Sequence, residues 1–258
     1  FSAEQIAESI EKMDADDATD VIQDLPEDVQ EEVLEALKDE EHSSDISMLM
    51  NYDEDSAGGI MDIDFVSADW NWTVKNALKK LREQVENVDQ VYTIYVVDSS
   101  KKFKGILSLK RFLYASDETL IKDIYRKDSI SVLANEDSES VALKMEKYDL
   151  VVVPVVDENN KLLGRITIDD IVDVIKEEAM EDYNKASGIS EQVDSSDDII
   201  ILTRARLPWL LIGLMGGIMG AQVIGIFDIQ NNIELAFFTP LIAAMGGNVG
   251  VQSAAIIV

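Results

Sequence analysis

The chain has 258 residues, no cysteine, a single histidine and a formal net charge of −29. Without cysteine there is neither a disulfide framework nor a thiolate metal or redox site, and His42, the only histidine, lies in an acidic helical stretch that argues against Ser-His-Asp catalysis and leaves no partner for a histidine-rich zinc site or a histidine proton relay within these residues. Such acidity repels nucleic acid and anionic lipid and attracts cations, so an oxygen-ligated divalent metal is the natural partner.

Residues 2–51 are expected to form short acidic helices: Ile6, Ile10 and Met13, then Val21, Ile22 and Leu25, then Val29, Val33, Leu34 and Leu37 recur at helical spacing. Pro26 is placed in the first turn of a new helix, followed by Glu27 and Asp28, which suit the positive end of the helix dipole. The carboxylates here read as a solvated outer face, and His42 as a surface residue.

From Ser56 the pattern changes and then repeats. Residues 91–98 (VYTIYVVD) read as an apolar strand, followed by a polar turn, a second strand over 105–109 and a helix opening at Lys110. The same order returns as a strand over 150–157 (LVVVPVVD), a second strand over 164–168 and a helix opened by Asp169 and Asp170. Asp98 and Asp157 are 59 residues apart, as are Gly105 and Gly164, so the segment is an internal duplication. Each copy has an upstream helix, over 73–81 in the first and 138–148 in the second. Ala57-Gly58-Gly59 precedes the first copy and reads as a tight turn rather than a phosphate cradle. Neither a Walker loop, a Rossmann fingerprint nor a nucleophile elbow occurs, so an enzyme is not expected.

Beyond the second copy an acidic amphipathic helix runs on towards Leu202. Asp170, Asp173, Glu177 and Glu181 follow i+3 and i+4 steps and can line one stripe of it, where like charges repel by a few tenths of a kcal/mol per pair. Counter-cations would relieve that repulsion; a solvated face is the alternative. Asp and Glu without Cys or His suit the hard cations. Asp14-Ala15-Asp16-Asp17 is only a weak imitation of an EF-hand loop, whereas Mg²⁺ keeps several waters and needs one or two direct carboxylates, which fits dispersed acidic faces brought together between domains.

Only Arg204, Arg206, Asp228 and Glu234 carry charge beyond Thr203, which leaves uncharged runs over 207–227 and 235–258. Each reaches about 30 Å as a helix, the hydrocarbon thickness of a bilayer. The two arginines before the first run place the N-terminal portion in the cytoplasm by the positive-inside tendency. In the second run Pro240 frees a helical carbonyl, and Gly246, Gly247 and Gly250 permit close helix approach or a local break. Asn248 and Gln252 are i, i+4 neighbours whose amides can face a water-filled lumen, or else join helices together. The sequence stops inside this apolar run without a polar tail, so further residues are expected after Val258, and conduction is expected only of a longer chain.

The duplicated unit resembles a tandem CBS pair, on the strand ending Val-Val-Asp, the turn, the Gly-x-Leu-Ser or Gly-x-Ile-Thr strand and the following helix. Phe238-Thr239-Pro240 through Gly246-Gly247-Asn248-Val249-Gly250-Val251-Gln252-Ser253-Ala254 resembles the second-span motif of the MgtE magnesium channels and transporters. The domain order and Arg206 to Trp209 are similar to that family too. The resemblance implies a multidomain fold: an all-α acidic N-domain (1–55), two α/β CBS repeats (56–122 and 123–178), a connecting, plug-like helix (179–203) and two α-helical transmembrane segments (204–258) of an incomplete pore domain. It implies a homodimeric, multi-pass plasma-membrane Mg²⁺ channel in which cytosolic Mg²⁺ binds between the acidic domains and holds the pore closed. Carried over by position, the sensor residues are Asp14, Asp137, Glu139, Asp149, Asp170, Asp173, Glu178, Glu181 and Asp182, with Lys147 and Lys176 set among them. Pro240, Gly246, Gly247, Asn248 and Gln252 are the pore-lining set. CBS pairs commonly bind adenine nucleotides, and Asp169 takes the ribose-binding position in the second copy, where the first copy has Arg111; ATP or a related nucleotide is thus a second ligand. The alternatives are a CBS-regulated membrane protein gated by nucleotide and a regulatory subunit of a separate pore.

Overall fold

The computed structural model describes residues 2–85, 88, 90–189, 199–226 and 238–257. Its chain divides into two units, Phe1–Ile175 and Lys176–Val258.

The first unit opens with four short helices: α1 (Ala3–Ile10), α2 (Ala15–Gln23), α3 (Glu27–Ala36) and α4 (Glu40–Leu49). Each is too short to persist alone in water, and they are held by their apolar stripes, with Ile10, Ala18, Ile22, Val33, Ile46 and Leu49 all buried. Gln5 reaches back to accept from the Ser2 N–H, and Asp39 accepts from the Glu41 and His42 N–H groups at the start of α4. Pro26 stands one residue before α3, as its N-cap rather than within its first turn. His42 is half-buried, its Nε2 lying 3.3 Å from the Ile10 carbonyl. The expected surface residue thus sits in the seam between α4 and α1, because helical spacing from Ile46 turns it inward.

The duplication appears as two three-stranded sheets of one topology. In the first, β1 (Ser67–Asp69) pairs parallel with β2 (Ile94–Val97), which pairs antiparallel with β3 (Phe103–Leu107); α5 (Val74–Gln84) precedes β2 and α6 (Leu109–Tyr114) follows β3. In the second, β4 (Val132–Leu133), β5 (Val152–Val156) and β6 (Leu162–Thr167) repeat the order, with α7 (Ser138–Lys147) before β5 and α8 (Ile168–Ala186) after β6. Equivalence extends to detail. Asp98 Oδ1 accepts from the Ser100 and Lys102 N–H groups, and Asp157 Oδ1 accepts from those of Asn159 and Lys161. Lys101 and Asn160 both take positive φ at the turn, and both sheets are irregular at the same step, Val96/Val97 and Val155/Val156. The two turns bond to each other: the Phe103 N–H donates to the Asn160 carbonyl and the Leu162 N–H to the Lys101 carbonyl.

The copies differ in what they pack against. The first has its own core of Val66, Ala77, Leu81, Ile94, Leu107, Phe112 and neighbours. Buried residues of the four N-terminal helices, the linker (Ala57, Met61) and the second copy (Val132, Val141, Met145, Val153, Ile166, Ile171) form one contiguous cluster instead. Gly58 and Gly59 lie in the linker, and a Cβ at Gly58 would come within 2.9 Å of the Ala134 carbonyl oxygen. Their N–H groups donate to the Ala134 and Ser56 carbonyls, as a tight turn would and a phosphate cradle would not.

The second unit contains the end of α8, then α9 (Ile199–Ile226) and α10 (Thr239–Ile257). The helix leaving the second CBS copy ends at Ala186 rather than running on towards Leu202: Gly188 turns with φ 73°. Among the described residues one segment, Ile199–Gln222, is long and apolar enough to cross a membrane. It begins eight residues before the uncharged run and takes Arg204 and Arg206 into the helix. α10 is helical throughout, so Gly246, Gly247 and Gly250 introduce no break. Pro240, at its second position, falls where an N–H has no intrahelical acceptor and therefore frees no carbonyl. Pro208, inside α9, is the proline that does so.

Candidate functional site

Carboxylates converge where α2, α4, the linker and the start of α8 meet. Asp14 and Asp16 begin α2, Asp45 lies on α4, Asp62 and Asp64 alternate along the extended linker, and Asp170 stands in the first turn of α8. The linker is fixed as an added edge on β6. Asp62 and Arg165 exchange both backbone hydrogen bonds at 2.8 Å, and the Arg165 guanidinium donates from Nε at 2.8 Å and approaches through its second nitrogen at 2.7 Å to the same Asp62 Oδ2. Asp62 Oδ1 accepts from the Asp64 N–H. The Thr167 N–H and hydroxyl both bond Asp170 Oδ2, and the hydroxyl also meets Asp169 Oδ1.

The energetic state of this seam is read from its proton affinities. Burial pushes Asp16 up to about 7, reinforced by the Asp62, Asp17 and Asp170 carboxylates against one backbone hydrogen bond. Asp64 is raised to about 6, first by burial and then by Asp62, Asp14 and Asp45, with Arg165 opposing. Asp170 is raised because desolvation outweighs its bonds from Thr167, and Asp45 is raised by burial and by Glu41. Groups shifted together in this way share a site that is short of positive charge. Asp16 Oδ1 is buried and has no hydrogen-bond partner among the described residues, which is costly unless something else satisfies it.

No three Asp, Glu or His side chains among the described residues are grouped tightly enough to enclose an ion unaided. Ca²⁺, which takes six to eight oxygens, is poorly served by such a site, whereas Mg²⁺ retains its waters and needs one or two carboxylates. Asp16, with its orphaned oxygen, Asp170, which acts on it, and Asp64, joined to the seam through Asp62, are the groups that would hold a hydrated Mg²⁺.

Of the positions expected from sequence, Asp14 and Asp170 belong to this seam. Asp137 caps α7, accepting from the Ser140 N–H, with Glu139 exposed beside it. Asp149 takes positive φ beyond the far end of the same helix, a rise of about 15 Å away. Asp173 is exposed on α8; Glu178, Glu181 and Asp182 fall in the second unit, where Glu181 pairs with Lys185 at 2.5 Å. Asp16 stands out in the sequence only as part of the weak EF-hand imitation, and Asp62 and Asp64 are not among the expected positions. The available signals were Asp-x-Asp spacing in an extended segment, which puts both side chains on one side, and an arginine within the apolar strand LLGRIT.

The 59-residue offset places Lys110, rather than the expected Arg111, opposite Asp169, and Arg111 opposite Asp170, so the first copy offers two cations where the second has two acids. Cavities lie near both sheets among the described residues. One of about 380 Å³ in the first copy is lined by apolar residues including Leu78, Leu81, Ile94 and Phe112; another of about 180 Å³ is bounded by Tyr52, Asn135, Asp157 and Leu163. Asp169 lines neither.

On α10, Asn248 and Gln252 are exposed one turn apart, and a Cβ at Gly246, Gly247 or Gly250 would meet nothing within 4 Å. The residues expected to line a pore therefore occupy one uninterrupted helix.

Residues 1–55 match the profile of the MgtE intracellular N domain, and residues 57–118 and 121–177 each match that of the CBS domain. The magnesium transporter MgtE of Bacillus subtilis is 34% identical over 252 residues, which is 97% of this chain and 56% of that protein. The Enterococcus faecalis transporter MgtE is 37% identical over 84% of this chain and 48% of its own length. A crystal structure of the soluble part of a magnesium transporter superposes with a TM-score of 0.64 at 36% identity, covering 69% of this chain and 70% of that one. The chain belongs to the MgtE family. The cytosolic domain of the Mg²⁺ channel MgtE in complex with ATP gives a TM-score of 0.60 at 33% identity, covering 67% of this chain and 76% of that one. The chain spans about half the length of the curated MgtE relatives it matches.

Proposed function

We propose that the protein carries Mg²⁺ across a membrane as a Mg²⁺-gated channel whose acidic cytosolic domains sense the ion and close the pore when it is bound. The observation that carries this reading is the acidic seam: Asp16, Asp64 and Asp170 are each raised first by burial and then by neighbouring carboxylates, Asp62 among them in every case, and one buried carboxylate oxygen lacks a partner. A hydrated divalent cation supplies two charges and several donors at once, which lowers the repulsion between the N-domain and the second CBS copy and favours their closure. Ion loss restores the repulsion. Asp14 and Asp170 act from this seam, while Asp137, Glu139, Asp149, Asp173, Glu178, Glu181 and Asp182 are proposed as further sensor positions of the assembled protein. The protein is proposed to work as a homodimer in the plasma membrane with residues 1–203 in the cytoplasm, α10 contributing Asn248 and Gln252 to the pore wall.

The experiment is limited proteolysis during separate titrations with Mg²⁺, Ca²⁺, K⁺ and ATP. Protection of the N-domain by millimolar Mg²⁺ is expected. A response to ATP alone would favour the second reading, nucleotide gating through Asp169, for which the ATP complex of the related cytosolic domain is the supporting observation.

A further inference from the structure

Arg165 is a charged side chain in a strand where five of six residues are buried, and it is itself only 7% exposed. Burying a guanidinium is unfavourable unless its donors are used. Here Nε and one terminal nitrogen engage Asp62, the other terminal nitrogen donates to the Gln90 carbonyl at 2.7 Å, and the Tyr92 ring lies 5.9 Å from the guanidinium carbon. Both of those guanidinium contacts fall on Asp62 Oδ2, while Asp62 Oδ1 accepts from the Asp64 N–H at 2.6 Å. Asp62 is therefore shared between a cation on one side and the acidic linker segment carrying Asp64 on the other.

We propose that Arg165 is a resident cation of the seam, standing in for one divalent ion. It neutralises Asp62 permanently and fixes the linker on β6, so that the Mg²⁺ response is left to Asp16, Asp64 and Asp170. Arg165 is a positioning residue that sets how much metal the seam demands. The inference rests on the Mg²⁺-sensing reading above and adds a quantity to it: removing the guanidinium creates a new Mg²⁺ requirement, which Asp62 then meets. The planar fork reaching one carboxylate from two nitrogens is what an ammonium reproduces only in charge.

The test uses the full 258-residue chain and the metal alone. Arg165→Met, close in size and uncharged, is melted in EDTA and in millimolar Mg²⁺, and bound Mg²⁺ is counted by equilibrium dialysis. The variant is expected to lose several degrees of Tm in EDTA, to regain most of it in Mg²⁺ and to bind one more ion per chain than the parent. Adding Asp62→Asn should abolish that extra dependence, and Arg165→Lys should keep the parental ion count while melting lower. An equal Tm deficit with and without Mg²⁺ would make Arg165 a structural tie only and overturn the proposal. If Arg165→Met does not fold, Asp62→Asn alone decides: it leaves the guanidinium unopposed and should raise the midpoint of Mg²⁺ protection several-fold, and an unchanged midpoint overturns the proposal. A parent chain with no Mg²⁺ response would instead sink the sensing reading, so the two failures are distinguishable.

Discussion

At the scale of single residues, Asp16 makes the sharpest prediction. A carboxyl whose pKa is higher in the folded than in the unfolded state binds more protons when folded, so stability falls as pH rises between the two values. For Asp16 that window runs from the ordinary carboxylate range to about 7, and for Asp64 to about 6. In EDTA the chain should melt higher at pH 5.5 than at pH 8, opposite to a carboxylate held in a salt bridge. Mg²⁺ at pH 8 should reproduce much of that gain. Asp16→Asn should raise Tm in EDTA by about 2–5 °C and flatten the pH dependence; a variant that melts lower in EDTA would show that the ionised form is favourably satisfied. These groups were hard to read in sequence because Asp16 sits among three other acids in ten residues and looks like part of a solvated face. Only the return of the linker against β6, 103 residues away in sequence, puts Asp62 opposite Arg165.

Among the elements, the paired sheets were legible because the 59-residue repeat states the same pattern twice. The edge strands β1 and β4 were not legible, at three and two residues, since no periodicity can be established over so few positions. Their parallel pairing depends on neighbours far along the chain. Gly105 shows how tightly the first sheet is closed: its φ is 153° and an added Cβ would lie 2.0 Å from the Arg126 carbonyl oxygen. Gly105→Ala should cost about 2–4 kcal/mol, measured by urea unfolding, since the obstruction is backbone and has no rotamer to change. The glycines of α10 behave oppositely. With open space around them in this chain, Gly246→Leu and Gly250→Leu should leave urea unfolding of the cytosolic portion unchanged. Mg²⁺ flux through the longer membrane-embedded protein should fall if those glycines meet other helices or the pathway. Of the two expectations for these glycines, close helix approach or a local break, the break does not occur, and the reason is local: Pro240 is at a position where helices accept it, and a pair of glycines lowers helix propensity by about 2 kcal/mol in total without ending a helix.

For the molecule as a whole, charge and core are distributed unevenly. The N-domain and the second CBS copy share one hydrophobic cluster, while the first copy keeps a separate one. Hydrogen exchange should accordingly find that α1 to α4 and the second copy lose protection together in EDTA, with the first copy an independent cooperative unit. Apolar attraction and carboxylate repulsion meet at the same seam, which is the arrangement expected of an element with two states separated by a few kcal/mol. Monovalent salt should screen only the exposed part of the repulsion. A K⁺ titration at matched ionic strength should therefore protect the N-domain far less than Mg²⁺ does.

The two turns that bond reciprocally, Phe103 to Asn160 and Leu162 to Lys101, bear on how such a chain could have arisen. Each copy supplies the hydrogen-bonding edge that the other lacks, and Tyr95 and Phe103 of one are buried against Val156 and Leu162 of the other. A single ancestral unit would have carried a sticky, self-complementary edge and met its own twin across a twofold axis. Duplication within one chain makes that neighbour permanent, and the two halves differ most plainly in charge at the equivalent helix starts, Asp169 and Asp170 against Lys110 and Arg111.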